Sequence, residues 1–211
     1  MSGKQDKLPG WCNRALQGLA YWIGHRRALY AGQPLTEGAI VAEACNLIYT
    51  CLHDNEELLC EVQYSRLIRG PLPACLGDKS RADLVIVKGA EKVKKKAPDN
   101  IQDHISVVIE VKRGPVTKKR ISEDLEEDLE RLAAFKQRRP NARAFLLLAS
   151  EAKLPELFVS NDGTAKLGLH HPTGTSYHYR VRRVCKAAHS FRRNKFAHYA
   201  CIIEVLANSG D

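Results

Sequence analysis

Apolar residues recur along this chain with two periods, and the switches between them mark its elements. From residue 10 to 30, Trp11, Ala15, Leu19, Trp22 and Ile23 return at helical spacing. Ile40, Ala44, Leu47 or Ile48, and Cys51 do so again behind Thr36, a residue suited to cap a helix. Residues 58–68 alternate instead, with Glu61, Gln63 and Ser65 on one face and Cys60, Val62 and Tyr64 on the other, which predicts a strand. Two β-branched runs follow, 80–88 and 105–114, bounded by charge, Pro or Gly as buried strands are. Helical spacing resumes at Ile121, Leu125, Leu129, Leu132 and Ala133; the segment is acidic over 123–130 and basic at Lys136, Arg138 and Arg139, the polarity a helix dipole favours. Its acidic run reads as a solvated helix face. Pro140 stops the helix, and 144–149 is apolar throughout, as in a strand covered on both faces.

The last third changes character. Residues 157–160 and 166–169 flank Asn161-Asp162-Gly163, a hairpin signal, and 176–184 and 198–206 read as two further strands. The order predicts a single α/β domain over 1–211, with N-terminal helices over 10–52, a core over 58–150 and a β-rich basic extension over 151–211.

Acidic residues interrupt the two central runs where a buried strand should be apolar. Asp83 lies in Arg81-Ala82-Asp83-Leu84, and Glu110 in Val108-Ile109-Glu110-Val111-Lys112. A carboxylate placed there costs several kcal/mol unless it is paired or holds a metal, about 3–5 kcal/mol when a buried pair is broken. Glu110 and Lys112 share a strand face about 7 Å apart. The 18 residues from Gly89 to Ser106 allow an antiparallel return that sets Asp83 beside Glu110. Two carboxylates with the carbonyl of Val111 make an all-oxygen set that suits Mg²⁺ or Mn²⁺. An ammonium at Lys112 would stand next to a metal-bound water and to a phosphate in which negative charge develops. Asp78, in the loop before the strand, is the runner-up for the first carboxylate, and Glu61 faces either the site or water.

Asp83 followed by Glu110-Val111-Lys112 at the end of a hydrophobic strand resembles the Asp…(Asp/Glu)-x-Lys core of the PD-(D/E)XK, restriction-endonuclease-like nucleases, over roughly residues 35–150. The resemblance implies a central mixed β-sheet flanked by helices, and a Mg²⁺-dependent DNA endonuclease of restriction or defence type. In it Asp83, Glu110 and Lys112 are catalytic, and Asp83, Glu110, Val111 and an acid of the preceding helix hold the metal. Glu43 is the matching helix residue and Glu37 the lesser one. Double-stranded DNA is the expected partner; family members also act as homodimers or beside a helicase, methyltransferase or other defence subunit. The alternative is a nucleic-acid-binding subunit that keeps the fold without turnover.

Charge agrees with a polyanionic partner. The formal net charge is +9, with 33 Lys and Arg against 24 Asp and Glu. Lys94 and Lys95 stand in the basic insert between the two central runs. Arg180, Arg182, Arg183, Lys186, Arg192, Arg193 and Lys195 interleave with Tyr177, Tyr179 and Phe191, a pattern suited to phosphate contact and base stacking. Seven cysteines, an odd number without a CxxC, fit a reducing cytoplasm better than a disulfide framework. Cys185, His189, His198 and Cys201 have the residue types of a zinc site but loose spacing, and core packing explains Cys201. No signal peptide or apolar run of membrane-spanning length is visible, so the expected location is cytoplasmic, away from membranes.

Overall fold

The computed structural model describes residues 7–30, 33, 35–89, 98–114, 122–172, 175, 177–187 and 197–207. Helices α1 (Gly10–Leu29) and α2 (Glu37–Tyr49) precede strand β1 (Glu56–Gln63) and a single turn, α3 (Tyr64–Leu67). Strand β2 (Arg81–Lys88), a 3-10 segment (Pro98–His104), strand β3 (Ile105–Arg113), helix α4 (Glu123–Arg138) and strand β4 (Arg143–Ser150) follow, then β5 (Tyr177–Ala187) and β6 (His198–Ala207).

The six strands form one open mixed sheet in the order β1-β2-β3-β4-β6-β5. Only β3 and β4 run parallel, and α4 makes the crossover that parallel neighbours require. Buried residues divide by sheet face. Ile109, Val111, Phe145, Leu147 and Ile202 pack under α1 and α2, whereas Val85, Val108, Leu146 and Ile203 pack under α4 with Leu125, Leu129, Leu132 and Phe135. Central strands covered on both faces explain why β3 and β4 read as near-continuous apolar runs. Thr36 caps α2 as its position suggested, its Oγ1 accepting from the Ala39 amide at 3.3 Å.

The C-terminal strands are not an appendage. β6 lies between β4 and β5, pairing Leu147 with Ile202 and Leu148 with Cys201, so the expected basic extension is the far edge of the central sheet itself. The Asn161-Asp162-Gly163 signal produces a turn with one bridge, Val159 to Ala165, rather than a hairpin of two strands. Asp162 closes that turn by accepting from the Thr164 amide at 3.0 Å, and Gly163 supplies its φ of 86°.

The expected strand over 58–68 ends at Gln63. Glu61 has φ 54°, a left-handed backbone, and the alternation fails there: Leu59 and Val62, three residues apart, join the same buried cluster. The chain then turns into α3, which carries Tyr64 under the sheet. No described helix is long and apolar enough to cross a membrane.

Candidate active site

The two central strands part at the acidic residues. Backbone pairing of β2 with β3 ends at Leu84–Ile109, and one step beyond it Asp83 faces Glu110. There the Asp83 side chain replaces a ladder carbonyl, Oδ2 accepting from the Val111 amide at 2.7 Å. The amide and carbonyl of one strand residue point to the same neighbouring strand. The Val111 carbonyl is therefore directed toward β2, beside Asp83, where the ladder no longer uses it.

Glu110 is 3% exposed and its Oε1 accepts from the Tyr64 hydroxyl at 2.7 Å. Arg131 Nε of α4 lies 3.8 Å from the same oxygen. Asp83 is only partly buried and forms the solvent side of the pair. Burial pushes Asp83 above the usual carboxylate range, against the hydrogen bonds from Val111 and Glu110, and the charges of Glu61 and Asp128 push the same way. Burial, then the charge of Asp83, pushes Glu110 well above that range, against the Tyr64 hydrogen bond and the Arg131 charge. Both shifts raise the pair's affinity for a proton when no cation is bound to it.

Lys112 is drawn away from Glu110. Its Nζ lies 3.0 Å from Asp128 Oδ2 and 3.6 Å from Glu37 Oε1. Burial works against its charge, but the Asp128 hydrogen bond and the charges of Asp128, Glu37 and Asp124 hold it above an ordinary lysine. It is therefore an ammonium at neutral pH, suited to meeting a phosphate and unsuited to removing a proton. Asp128 also pairs with Arg131, and its own carboxyl is pushed up by burial against both cations.

Three members of this cluster were hidden in the sequence. Asp128 belongs to the acidic run read as a solvated face, yet it is 2% exposed. Its spacing was the available signal, since 125, 128, 129 and 132 form one helical stripe. Arg131 follows Asp128 by three residues on that face. Tyr64 was placed on a strand, and the left-handed turn at Glu61 is what redirects it.

Glu43 is not brought to the pair. α2 packs on the sheet face opposite Glu110, and no hydrogen bond or ion pair joins partly buried Glu43 to Asp83 or Glu110 among the described residues. The first residue of α2 reaches the cluster instead: Glu37 Oε2 accepts from the Arg113 amide at 3.3 Å at the end of β3. Asp78 is exposed in the loop before β2.

The expected basic surface divides. Arg180, Arg183 and Lys186 are exposed on edge strand β5. Arg182 is an internal ion pair, its Nε 3.4 Å from Glu204 Oε2, whose Oε1 also binds Arg143 at 2.7 Å. Arg192, Arg193 and Lys195 lie outside the described residues, as do Lys94 and Lys95. The strand ends that lead into the Lys94 segment, Lys88 and Ile105, stand at the far end of β2 and β3, about 16 Å from Asp83 by strand rise.

Zinc geometry is not supported by the described members of that set. Cys185 and Cys201 pack into clusters on opposite sheet faces, and buried His198 accepts from the Ala152 amide through Nδ1 at 3.2 Å. Among the described residues no three His, Cys, Asp or Glu side chains converge as a metal cluster. The oxygen set at Asp83 is two carboxylates and one backbone carbonyl, which fits a hard divalent cation that keeps several waters. No family model, curated protein or solved structure matches the chain.

Proposed function

We propose that the protein is a divalent-metal-dependent nuclease with a restriction-endonuclease-like core, acting on phosphodiester bonds of DNA. The observation that carries this reading is the Asp83–Glu110 pair at the point where β2 and β3 part, with the Lys112 ammonium two residues further along β3. Asp83, Glu110 and the Val111 carbonyl would hold Mg²⁺ or Mn²⁺. The cation, when bound, supplies Lewis-acid polarisation of a phosphate oxygen and a more acidic water. Tyr64 fixes the orientation of Glu110, and the Val111 amide fixes Asp83. Lys112 offsets negative charge developing on the phosphate, and Asp128 keeps it charged and near. Val184 of β5 is level with Lys112 across β4 and β6, three strand spacings or about 14 Å away, and Lys186 two residues on shares its sheet face, whereas Arg183 projects from the other face. That separation suits contact with phosphates flanking the one attacked.

The test is cleavage of supercoiled plasmid with Mg²⁺ or Mn²⁺ by the wild type, Asp83→Asn and Glu110→Ala, with an EDTA control. Metal-dependent nicking that both substitutions abolish supports the reading. Salt-sensitive DNA binding without cutting would favour a silent binding subunit. One observation favours that second reading: Lys112 and Arg131 already engage Asp128, and Arg131 also lies beside Glu110, so the cations present leave the acidic cluster partly neutralised.

A further inference from the structure

Two thiols distant in sequence meet at the surface between α2 and β1. Cys45 projects from α2 and Cys60 from β1, and their Sγ atoms are 3.4 Å apart. Cys60 is exposed and Cys45 partly so, which sets them apart from Cys12, Cys185 and Cys201, all buried. Burial pushes Cys12 up to about 12 and raises Cys201 further, so neither is a competing nucleophile near neutral pH. Cys75 is exposed, but it lines a cleft against α4 with Pro73 and Tyr177, on the other side of the sheet from α2. Cys51 lies just past the C-terminal end of α2, its Sγ 3.9 Å from Thr50 Oγ1.

We infer that Cys45 and Cys60 are an oxidisable dithiol, a modification site at which a peroxide closes a disulfide between α2 and β1. The sulfurs need to approach by roughly 1.4 Å to reach bonding distance. Burial, then the hydrogen bond and charge of Cys45, pushes Cys60 up to about 11. Either sulfur can donate in the contact they share, and Cys60, the more exposed of the two, is open to an oxidant from solvent. The thiolate of one cysteine of the pair attacks one peroxide oxygen, the O–O bond breaks, and the departing oxygen leaves as water after taking up a proton. The resulting sulfenic acid is attacked by the sulfur of the other cysteine, the S–S bond forms, and the sulfenic hydroxyl leaves as a second water. Two thiols and one hydrogen peroxide become one disulfide and two waters. The charges of Glu61 and Asp83 act on Cys60, which disfavours an anionic oxidant such as glutathione disulfide and favours neutral peroxide.

The bond would join α2, which carries Glu37, to the strand whose next residue is left-handed Glu61. It closes a short loop, so the oxidised protein gains stability by constraining the unfolded chain. This inference is independent of the nuclease reading, and its experiment measures thiols rather than cleavage. The full chain is treated with hydrogen peroxide at pH 8, and free thiols are counted with a chromogenic disulfide before and after, followed by peptide mapping by mass. The expected result is a fall from seven titratable thiols in denaturant to five, a linked peptide pair containing Cys45 and Cys60, and a Tm higher by a few degrees that dithiothreitol reverses. Cys60→Ser and Cys45→Ser, each checked for native far-UV circular dichroism, should both lose the cross-link and the Tm gain. A different linked pair, an unchanged thiol count, or oxidation of Cys45 to sulfinic acid with Cys60 still free would overturn the inference.

Discussion

Replacing Glu110 by Gln should stabilise the metal-free protein at pH 8 and leave it little changed at pH 5. Glu110 is buried against Asp83, and burial followed by the Asp83 charge pushes its carboxyl well above the usual range. A carboxyl whose folded pKa exceeds its unfolded one binds more protons in the native state across the window between the two. Stability therefore falls as pH rises through that window, from the ordinary carboxylate range to the raised native value. Two unit charges about 4 Å apart repel by about 4 kcal/mol at an effective dielectric near 20. Arg131, 3.8 Å from Glu110, offsets part of this. A net gain of about 1–2 kcal/mol for Glu110→Gln at pH 8 follows, since the Gln carbonyl can still accept from Tyr64. For a chain of this length that is a Tm increase of roughly 3–6 °C. The assay is thermal unfolding by circular dichroism from pH 5 to 8.5 in EDTA, reading the difference between variant and wild type so that titrations elsewhere cancel. A difference that stays flat with pH, or a variant less stable than wild type at pH 8, would refute the argument.

Other substitutions separate the members of the cluster. Tyr64→Phe leaves a buried Glu110 oxygen without its donor and should cost about 1–3 kcal/mol by urea unfolding. It should also move the pH window upward, because that bond favours the charged form. Asp128→Ala strips Lys112 and Arg131 of their buried partner and should cost about 3–5 kcal/mol, whereas Ala at exposed Asp124 on the same helix should change stability by less than about 0.5 kcal/mol. Glu204→Ala leaves Arg143 and Arg182 without the carboxylate between them and should cost about 3 kcal/mol by urea unfolding, with Glu204→Gln losing less.

What the sequence disclosed depended on whether a residue's neighbours were local. β3 and β4 were readable because strands covered on both faces must be apolar throughout, and Asp83 and Glu110 stood out against that rule. Their adjacency followed from a return of known length. Asp128 was obscured by its own neighbours, since Glu126, Glu127 and Glu130 make the segment look solvated while position 128 turns inward. Tyr64 was misplaced because nothing in Cys60-Glu61-Val62 announces a left-handed residue, which a non-glycine seldom adopts. Strands β5 and β6 were legible as strands, but their place beside β4 is a pairing across fifty residues of chain that alternation alone does not encode. Arg182 looked like part of a basic surface for the same reason, its partner Glu204 being on the next strand.

The most direct test of the account is calorimetric titration of the metal-free protein with Mn²⁺ at pH 7.5, in two buffers of different ionisation enthalpy, for the wild type and Glu110→Gln. A cation entering between Asp83 and Glu110 competes with protons for carboxyls whose proton affinity burial raises. The account therefore predicts one binding event per chain, with proton release that makes the apparent enthalpy depend on the buffer, and loss of that event in the variant. Binding that is indifferent to Glu110→Gln, or no binding at millimolar Mn²⁺, would contradict it.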